Sequence, residues 1–259
     1  MNQVRHTLVF AHRGANREAP ENTRSAFDRA LAYPIDGIET DIQLSRDEVA
    51  VLWHDRYIAK LGHPASHVDD FDYEQLRAMK TTHHFATTAN SEVMMTLQEF
   101  LQFYRQRTRL ILEIKNREWE LPARHENKVQ QTLSMVGQVS DERILISSFN
   151  LTSLTFANRH RPGFPLVYNF EEEQTLEDAR QVLSVHTFLH GLCLPIVSLS
   201  KEMVELLRDL NKSITVYTCN SDEEINLALA MGVDILISDL PEKALGLRDS
   251  RFGLREINS

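Results

Sequence analysis

The sequence predicts an α/β protein whose strands close into a TIM (β/α)8 barrel. Short apolar segments alternate with amphipathic helical segments along the chain, and eight such strand–helix pairs can be counted. Strict alternation of this kind implies parallel strands. Eight parallel strands within 259 residues favour a closed barrel over an open sheet. Because the sequence shows no second domain boundary, we expect residues 1–259 to form a single domain.

The predicted strands are the apolar or alternating segments that lie between turn residues. In chain order they cover 7–12, 37–44, 110–115, 143–149, 166–170, 188–194, 214–219 and 235–238. The first predicted helix follows Asn22, which we interpret as its N-cap. The later helices are predicted at 97–106, 126–136, 151–159, 176–185, 201–210, 222–231 and 242–247.

One stretch, residues 56–95, breaks this alternation. It contains Gly62-His63-Pro64, a short predicted helix from Tyr73 to Met79, and a polar segment at 83–90. Long connections in compact domains usually have a function of their own. We therefore predict an insertion after the second barrel strand that lies over one end of the barrel.

The composition excludes several classes of partner. The formal net charge of -9 argues against broad contact with nucleic acid or anionic membrane, because both require a basic surface. The apolar run at the amino terminus is too short for a signal peptide, and no run is long enough to span a membrane. We therefore expect a cytoplasmic protein, in which Cys193 and Cys219 are reduced and mostly buried thiols.

The facing of side chains along the strands predicts a polar interior at one end of the barrel. In the strand at 37–44 the apolar residues share one face, and Glu39 and Asp41 share the other. In the strand at 110–115 Glu113 and Lys115 likewise alternate with apolar residues. Since the outer face of a barrel packs under helices, the charged set belongs inside, near the carboxyl ends of the strands. Barrel enzymes build their active sites at that end.

The three inward acids predict a metal site. Glu39 and Asp41 lie roughly 6 to 7 Å apart along one strand, and Glu113 can add a third oxygen ligand from the neighbouring strand. A set made only of carboxylates suits one divalent cation such as Mg²⁺, Ca²⁺ or Mn²⁺ better than Zn²⁺. The alternative is that these acids form buried ion pairs with Arg13 and Lys115 without metal. We favour the metal, because three acids exceed two cations and uncompensated buried charge is costly.

Two histidines, His12 and His54, stand at strand ends, where they could flank a phosphate as general acid and general base. Glu21, in the segment before the first predicted helix, is expected to orient Arg13 or the acids. The histidines of the insertion, at 63, 67, 83 and 84, have the spacing of no tight zinc motif. We interpret them as part of a solvated or substrate-facing loop.

Taken together, these segments resemble the glycerophosphodiester phosphodiesterase family almost from end to end and in the family's order. The matching pieces are AHRG at 11–14, PENT at 20–23, ETDIQL at 39–44, LWHD at 52–55, LEIK at 112–115, ISSF at 146–149 and GVDILISDLP at 232–241. The resemblance implies a TIM barrel that hydrolyses small glycerophosphodiesters to an alcohol and glycerol 3-phosphate with a divalent cation.

The resemblance also assigns roles to residues of this chain. It implies catalytic histidines at His12 and His54, metal-binding acids at Glu39, Asp41 and Glu113, and phosphate-binding cations at Arg13 and Lys115. Several positions depart from the family pattern, among them Ser45, Glu48 and Met95, and two departures concern the substrate side of the barrel. Tyr217 stands where tryptophan is commoner in a strand that faces the substrate, and an arginine often found after the His-Asp pair is missing, with Lys60 nearby.

Two other functions remain open from the sequence. One is a phospholipase-D-like lyase that forms a cyclic phosphate, and the other is a non-catalytic barrel that binds phosphorylated ligands. The nucleophile, water or a neighbouring hydroxyl of the substrate, is also left open, as are the roles of acid and base between the two histidines. The oligomeric state is not indicated.

Overall fold

The computed structural model describes residues 6–79, 92–137 and 143–252. The strands in these ranges are β1 (Leu8–His12), β2 (Gly37–Leu44), β3 (Ala50–Leu52), β4 (Arg109–Ile114), β5 (Ile144–Ser148), β6 (Leu166–Asn169), β7 (Gly191–Pro195), β8 (Ser213–Tyr217) and β9 (Ile235–Ser238). The helices are α1 (Arg24–Ala30), α2 (Tyr73–Ala78), α3 (Leu97–Tyr104), α4 (Pro122–Val136), α5 (Leu151–His160), α6 (Leu176–Val185), α7 (Lys201–Asp209), α8 (Asp222–Met231) and α9 (Pro241–Phe252).

Eight of the strands form a closed parallel barrel. The sheet order runs from β1 through β9, β8, β7, β6, β5 and β4 to β2, and β1 also pairs with β2, which closes the ring. The remaining strand, β3, is not part of the barrel wall, because it pairs antiparallel with the end of β2. The predicted TIM barrel is therefore confirmed, with the strand–helix alternation as its cause.

The packing separates the two faces of each barrel strand as the sequence predicts. Outward residues such as Ile38 and Leu112 belong to the large core between the barrel and its helices. Inward residues such as Phe10, Ile111 and Ile235 form a separate apolar cluster inside the barrel. Every residue of β2 is buried, because one face packs under helices and the other faces the barrel interior. This interior cluster forms an apolar layer beneath the charged residues.

Side-chain caps define where most helices begin. Thr96, Thr175 and Ser221 each form a capping box with an acidic residue three positions later. The prediction that Asn22 caps the first helix is wrong, because the N-cap of α1 is Thr23, whose side chain accepts from the Ala26 amide. Asn22 is in the left-handed region (φ 57°) and its side chain turns towards the barrel mouth instead.

The predicted insertion follows β3 and has a small core of its own. It begins with two single 3-10 turns, Ala59–Leu61 and Val68–Asp70, and continues into α2. Its core is built from Val51, Trp53, Ile58, Leu61, Val68, Tyr73, Leu76 and Met94. The polar segment predicted at 83–90 lies outside the described residues. Within the described ranges, none of the helices is both long enough and apolar enough to cross a bilayer.

Candidate active site

The register of the barrel strands brings the predicted acids together. His12 of β1 lies beside Glu39 of β2, and Asp41 of β2 lies beside Glu113 of β4. Since register partners point to the same face of a sheet, these side chains meet inside the barrel at its carboxyl end. One carboxylate oxygen from each of Glu39, Asp41 and Glu113 lies within 4.8 Å of the others.

Two cations neutralise part of this acid cluster. Lys115 Nζ lies 3.0 Å from Asp41 Oδ1 and also contacts the Glu113 carboxylate. Arg13 Nε lies 3.0 Å from Asp41 Oδ2. Burial alone would raise the pKa of Asp41, but Lys115 and Arg13 hold it well below its usual value. Asp41 is therefore the fully compensated member of the cluster.

Glu39 is the acid that lacks such compensation. Its side chain is 4% exposed, and its Oε1 has no hydrogen-bond partner among the described residues. Burial, followed by the charges of Asp41 and Glu113, raises the pKa of Glu39 well above its ordinary value. Ionising this carboxyl is unfavourable unless another positive charge is present.

This arrangement fits a hard divalent cation. The donors are three buried carboxylates without nitrogen or sulfur among them, which is the ligand chemistry that Mg²⁺, Ca²⁺ and Mn²⁺ prefer. The ion pairs of Arg13 and Lys115 compensate Asp41 but leave Glu39 Oε1 without a hydrogen-bond partner among the described residues. A positive group bound beside Glu39 would supply that partner. The residues therefore fit a cation held between β2 and β4.

His12 is fixed by a residue from the far end of the chain. Its Nδ1 lies 2.6 Å from Oδ1 of Asp239, which directly follows β9. Burial alone would raise the pKa of Asp239, but the hydrogen bond from His12 holds this pKa well below its usual range. Asp239 is therefore an ionised carboxylate that accepts the hydrogen bond from His12. His12 therefore carries its proton on Nδ1 and directs Nε2 towards Glu39, 3.9 Å away. Burial, then the charge of Arg13, lowers the pKa of His12, which favours neutral imidazole at pH 7.

His54 has the same chemistry in a different setting. Its Nδ1 lies 3.0 Å from Oδ1 of the adjacent Asp55, on the connection that follows β3. Both side chains are 33% exposed, against 17% for His12 and 11% for Asp239. Although burial opposes it, hydrogen bonds from His54 and Lys60 lower the pKa of Asp55. Each histidine thus has an aspartate on Nδ1, which leaves Nε2 for a ligand.

The backbone beside the acids is strained where it holds Arg13. Arg13 and Asn22 both lie in the left-handed region, at φ 59° and 57°. They are tied together by a hydrogen bond from the Asn22 amide to the Arg13 carbonyl. The Asn22 side chain donates to Asp41 and accepts from Thr40, at 2.9 and 2.7 Å. Strain of this kind at two non-glycine residues is characteristic of functional sites.

Glycine is required immediately after Arg13. Gly14 has φ 82°, and a Cβ there would lie 2.6 Å from the backbone of Ala26 in α1. The close approach of this turn to α1 explains the glycine of the AHRG segment. It also fixes the direction in which the Arg13 side chain leaves the strand.

The two other predicted site residues have protein partners. Glu21 Oε2 accepts from Arg13 Nη1 at 3.2 Å, a contact that fits the orienting role predicted for Glu21. The Tyr217 hydroxyl donates to the Phe170 carbonyl, and its ring meets Phe149 edge-on with centroids 6.1 Å apart. Tyr217 is half-buried at the carboxyl end of β8. Its contact with substrate stays a prediction.

A set of supporting contacts holds the loops around the acids. Gln43 Nε2 donates to the carbonyls of Trp53 and Asp55 at 2.8 and 3.1 Å, which fixes the backbone on either side of His54. Arg117 donates to Gln43 Oε1 and to the His54 carbonyl. The β3 connection is thereby attached to both β2 and the loop after β4.

A buried ion pair fixes the backbone of Lys115. Lys128, whose side chain is fully buried in α4, donates to both oxygens of Glu120, at 2.8 and 2.9 Å, and to the Lys115 carbonyl. Removing either partner of such a pair leaves an uncompensated buried charge. We infer that this pair sets the direction of the Lys115 side chain.

Sequence reasoning missed Asp239 and assigned no role to Asp55. Asp239 lies within the GVDILISDLP segment, and the alternation of Ile235 and Ile237 places it on the inner face. The facing argument used for β2 and β4 would have identified it. Of the insertion's histidines, His67 stacks between Tyr57 and Trp119, at centroid distances of 5.0 and 4.0 Å.

Two cavities of about 360 and 620 Å³ lie at the opposite end of the barrel. Both are lined by Leu145, His190 and Lys212, near the amino ends of the strands. None of the predicted site residues lines either cavity. Neither of these two cavities opens onto the acid cluster, which is therefore identified by the chemistry of its residues.

Known proteins resemble this chain over nearly its whole length. The sequence model of the glycerophosphoryl diester phosphodiesterase family matches residues 12–243. A glycerophosphodiester phosphodiesterase of Bacillus altitudinis is 29% identical, covering 94% of this chain and 98% of the relative. One from Caldanaerobacter subterraneus is 28% identical, covering 93% of this chain and 97% of the relative.

Solved structures resemble the fold. A phosphodiesterase of Oleispira antarctica, solved in complex with the product sn-glycerol-3-phosphate, superposes with a TM-score of 0.81 at 23% identity, over 93% of this chain and 96% of that one. A glycerophosphodiester phosphodiesterase of Parabacteroides distasonis gives a TM-score of 0.80 at 24% identity, over 96% of this chain and 100% of that one.

Proposed function

The chain belongs to the glycerophosphoryl diester phosphodiesterase family, and from this premise we propose that it hydrolyses glycerophosphodiesters to an alcohol and glycerol 3-phosphate, with a divalent cation and two histidines. The proposal extends to residues 1–259 acting as one catalytic domain. Curated relatives with the same activity in their names support the reaction. The Oleispira phosphodiesterase, solved with its product, supports glycerol 3-phosphate as the product here.

The observation that carries the proposal is the pair of aspartate-bound histidines beside the acid cluster. His12 and His54 each engage an aspartate through Nδ1, at 2.6 and 3.0 Å. Both therefore offer Nε2 to a phosphodiester at the mouth of the barrel. A barrel that only bound phosphorylated ligands would not need two oriented proton carriers.

Cleavage of the P–O bond needs one proton removed and one delivered. One histidine accepts a proton from the nucleophile through Nε2, while the other protonates the leaving alkoxide. The aspartates hold the rings in one tautomer and stabilise the imidazolium that forms. The apolar cluster of Phe10, Ile111 and Val167 lies beneath these groups, and a surrounding of low polarity strengthens charge interactions.

The charged groups bind the phosphate and offset the charge that develops on it. Arg13 and Lys115, buried beside Asp41, direct positive charge to the mouth of the barrel. A divalent cation held by Glu39, Asp41 and Glu113 would add positive charge at a non-bridging oxygen. Electrostatic stabilisation of this kind is usually the largest contribution to catalysis.

A panel of glycerophosphodiesters, assayed with Mg²⁺, Ca²⁺, Mn²⁺ or chelator, tests the proposal. We expect cation-dependent release of glycerol 3-phosphate, lost with chelator and restored by added cation. Phosphorus NMR identifies the product, and a stable cyclic phosphate would instead indicate the lyase. Absence of turnover on every substrate with every cation would mean that the barrel only binds its ligand.

A further inference from the structure

A continuous chain of ion pairs joins the two sides of the site through Lys60. Arg13 Nη1 lies 3.2 Å from Glu21 Oε2, and Lys60 Nζ lies 2.8 Å from Glu21 Oε1. The same ammonium lies 2.8 Å from Asp55 Oδ2. We propose that Lys60 is a positioning residue, which sets the placement of His54 relative to Arg13 from within the insertion.

Packing on both sides fixes where the Lys60 ammonium can lie. Lys60 is the middle residue of the turn Ala59–Leu61, and its neighbour Leu61 is buried in the core of the insertion. The turn ends at Gly62, whose φ of 89° closes it with a hydrogen bond to the Ala59 carbonyl. Ile58, before the turn, is also buried and donates its amide to Ser66. The insertion therefore holds the side chain against the barrel.

Charge explains why this ammonium matters. Carboxylate oxygens of Glu21 and Asp55 lie within 4.8 Å of each other and of a His54 ring nitrogen. Without Lys60, two negative charges would face each other at this distance and repel. Burial opposes the shift, but Asp55 and Glu21 raise the pKa of Lys60, so the ammonium stays charged between them.

The consequence for catalysis rests on the proposed function. Arg13 binds the phosphate and His54 transfers a proton, so the distance between them decides whether the reacting atoms align. A misplacement of about 1 Å at a reacting group can cost roughly a hundredfold in rate. Lys60 touches neither substrate nor cation in this scheme; it acts through Asp55 and Glu21.

The test compares Lys60→Met, which keeps the length of the side chain, with Lys60→Arg, which keeps its charge. Lys201→Met is the matched control, because Lys201 forms an exposed ion pair with Glu205 on α7. In Lys60→Met we expect kcat to fall at least about tenfold, with KM changed much less. Lys60→Arg should recover most of kcat, and Lys201→Met should match the wild type.

The position of the His54 ring signal in an NMR spectrum gives a readout that does not need turnover. This signal, identified by its loss in His54→Gln, should move in Lys60→Met, return close to its wild-type position in Lys60→Arg, and stay in place in Lys201→Met. If the wild type hydrolyses no glycerophosphodiester, the proposed function fails, and this signal still decides the role of Lys60. An unmoved signal in Lys60→Met would overturn the inference, as would an equal loss of kcat in Lys60→Met and Lys60→Arg. Should Lys60→Met fail to fold by thermal melting, Lys60→Gln is measured in the same way.

Discussion

Each of the two histidines is paired with an aspartate through Nδ1, but the two pairs stand on parts of the molecule that are built differently. His12 is the last residue of β1 and Asp239 directly follows the adjacent strand β9, and their side chains are 17% and 11% exposed. His54 and Asp55 are sequence neighbours on a connection, and both are 33% exposed. We call the first the barrel half and the second the insertion half. The barrel half is fixed by the sheet, whereas the insertion half depends on side-chain contacts.

The two halves obtain their rigidity from different contacts. Asp239 also accepts hydrogen bonds from Asn16, Arg17 and Asn220, at 2.6 to 2.9 Å. The insertion half is held by Gln43 and Arg117 at the backbone and by Lys60 at the side chain. Among the described residues, the Asp239 carboxylate thus has four side-chain partners, including His12, whereas that of Asp55 has two, His54 and Lys60.

The largest expected effect removes either imidazole. His12→Ala and His54→Ala should each lower kcat/KM by about a thousandfold or more, although one ring is more exposed than the other. Both variants should keep the melting temperature close to the wild type. Steady-state kinetics with added cation measures the loss, and His160→Ala, on the exposed end of α5, is the control. Near-normal turnover in either variant would show that the two halves do not share the proton transfers.

The next expected effect separates metal binding from stability in the barrel half. Glu39→Gln replaces a buried carboxyl whose ionised form lacks compensation without a cation and whose Oε1 has no hydrogen-bond partner among the described residues, so the variant should melt at a higher temperature than the wild type in chelator. It should also lose the rise in melting temperature that Mg²⁺ or Ca²⁺ gives the wild type, with affinity down at least about tenfold. Calorimetry measures the affinity, and the exposed Glu205→Gln is the control. Unchanged cation affinity would favour the ion-pair interpretation of the acid cluster.

A smaller effect compares the two orienting aspartates directly. Asp239→Asn should lower kcat by roughly a hundredfold and Asp55→Asn by roughly tenfold, a range typical of groups that orient a functional side chain. The difference follows from the burial and the additional partners of Asp239. The exposed Asp209→Asn at the end of α7 is the control. Equal losses would mean that the barrel half is no more rigid in function than the insertion half.

The sequence predicted the barrel half better than the insertion half, and the reason is physical. Strand periodicity and strand–helix alternation are local patterns, and they place Glu39, Asp41 and Glu113 on one face without knowledge of distant contacts. The eight barrel strands and the inner and outer faces of β2 and β4 followed from them. Register then brings residues of neighbouring strands together without further information.

The contacts that the sequence did not predict depend on irregular backbone. Asn22 was interpreted as a helix cap because its residue type and position suit one, but its left-handed φ turns it towards Asp41. The Lys60 bridge depends on the path of the insertion, which follows no period. Asp239 meets His12 across 227 residues of chain, and only the facing of β9 would have indicated it.

The smallest expected effect asks whether the whole insertion positions His54 or only Lys60 does. Arg46, in the turn after β2, makes a two-pronged ion pair with Asp72 at the start of α2, with bonds of 2.9 and 2.8 Å. Both side chains are about half exposed, at 53% and 45%, so Arg46→Ala should change the free energy of unfolding very little. Because this contact holds the far side of the insertion, kcat should stay within about twofold of the wild type. A loss of kcat in Arg46→Ala as large as that in Lys60→Met, with the unfolding free energy preserved, would mean that the insertion acts on the site as a body, and not through one ammonium.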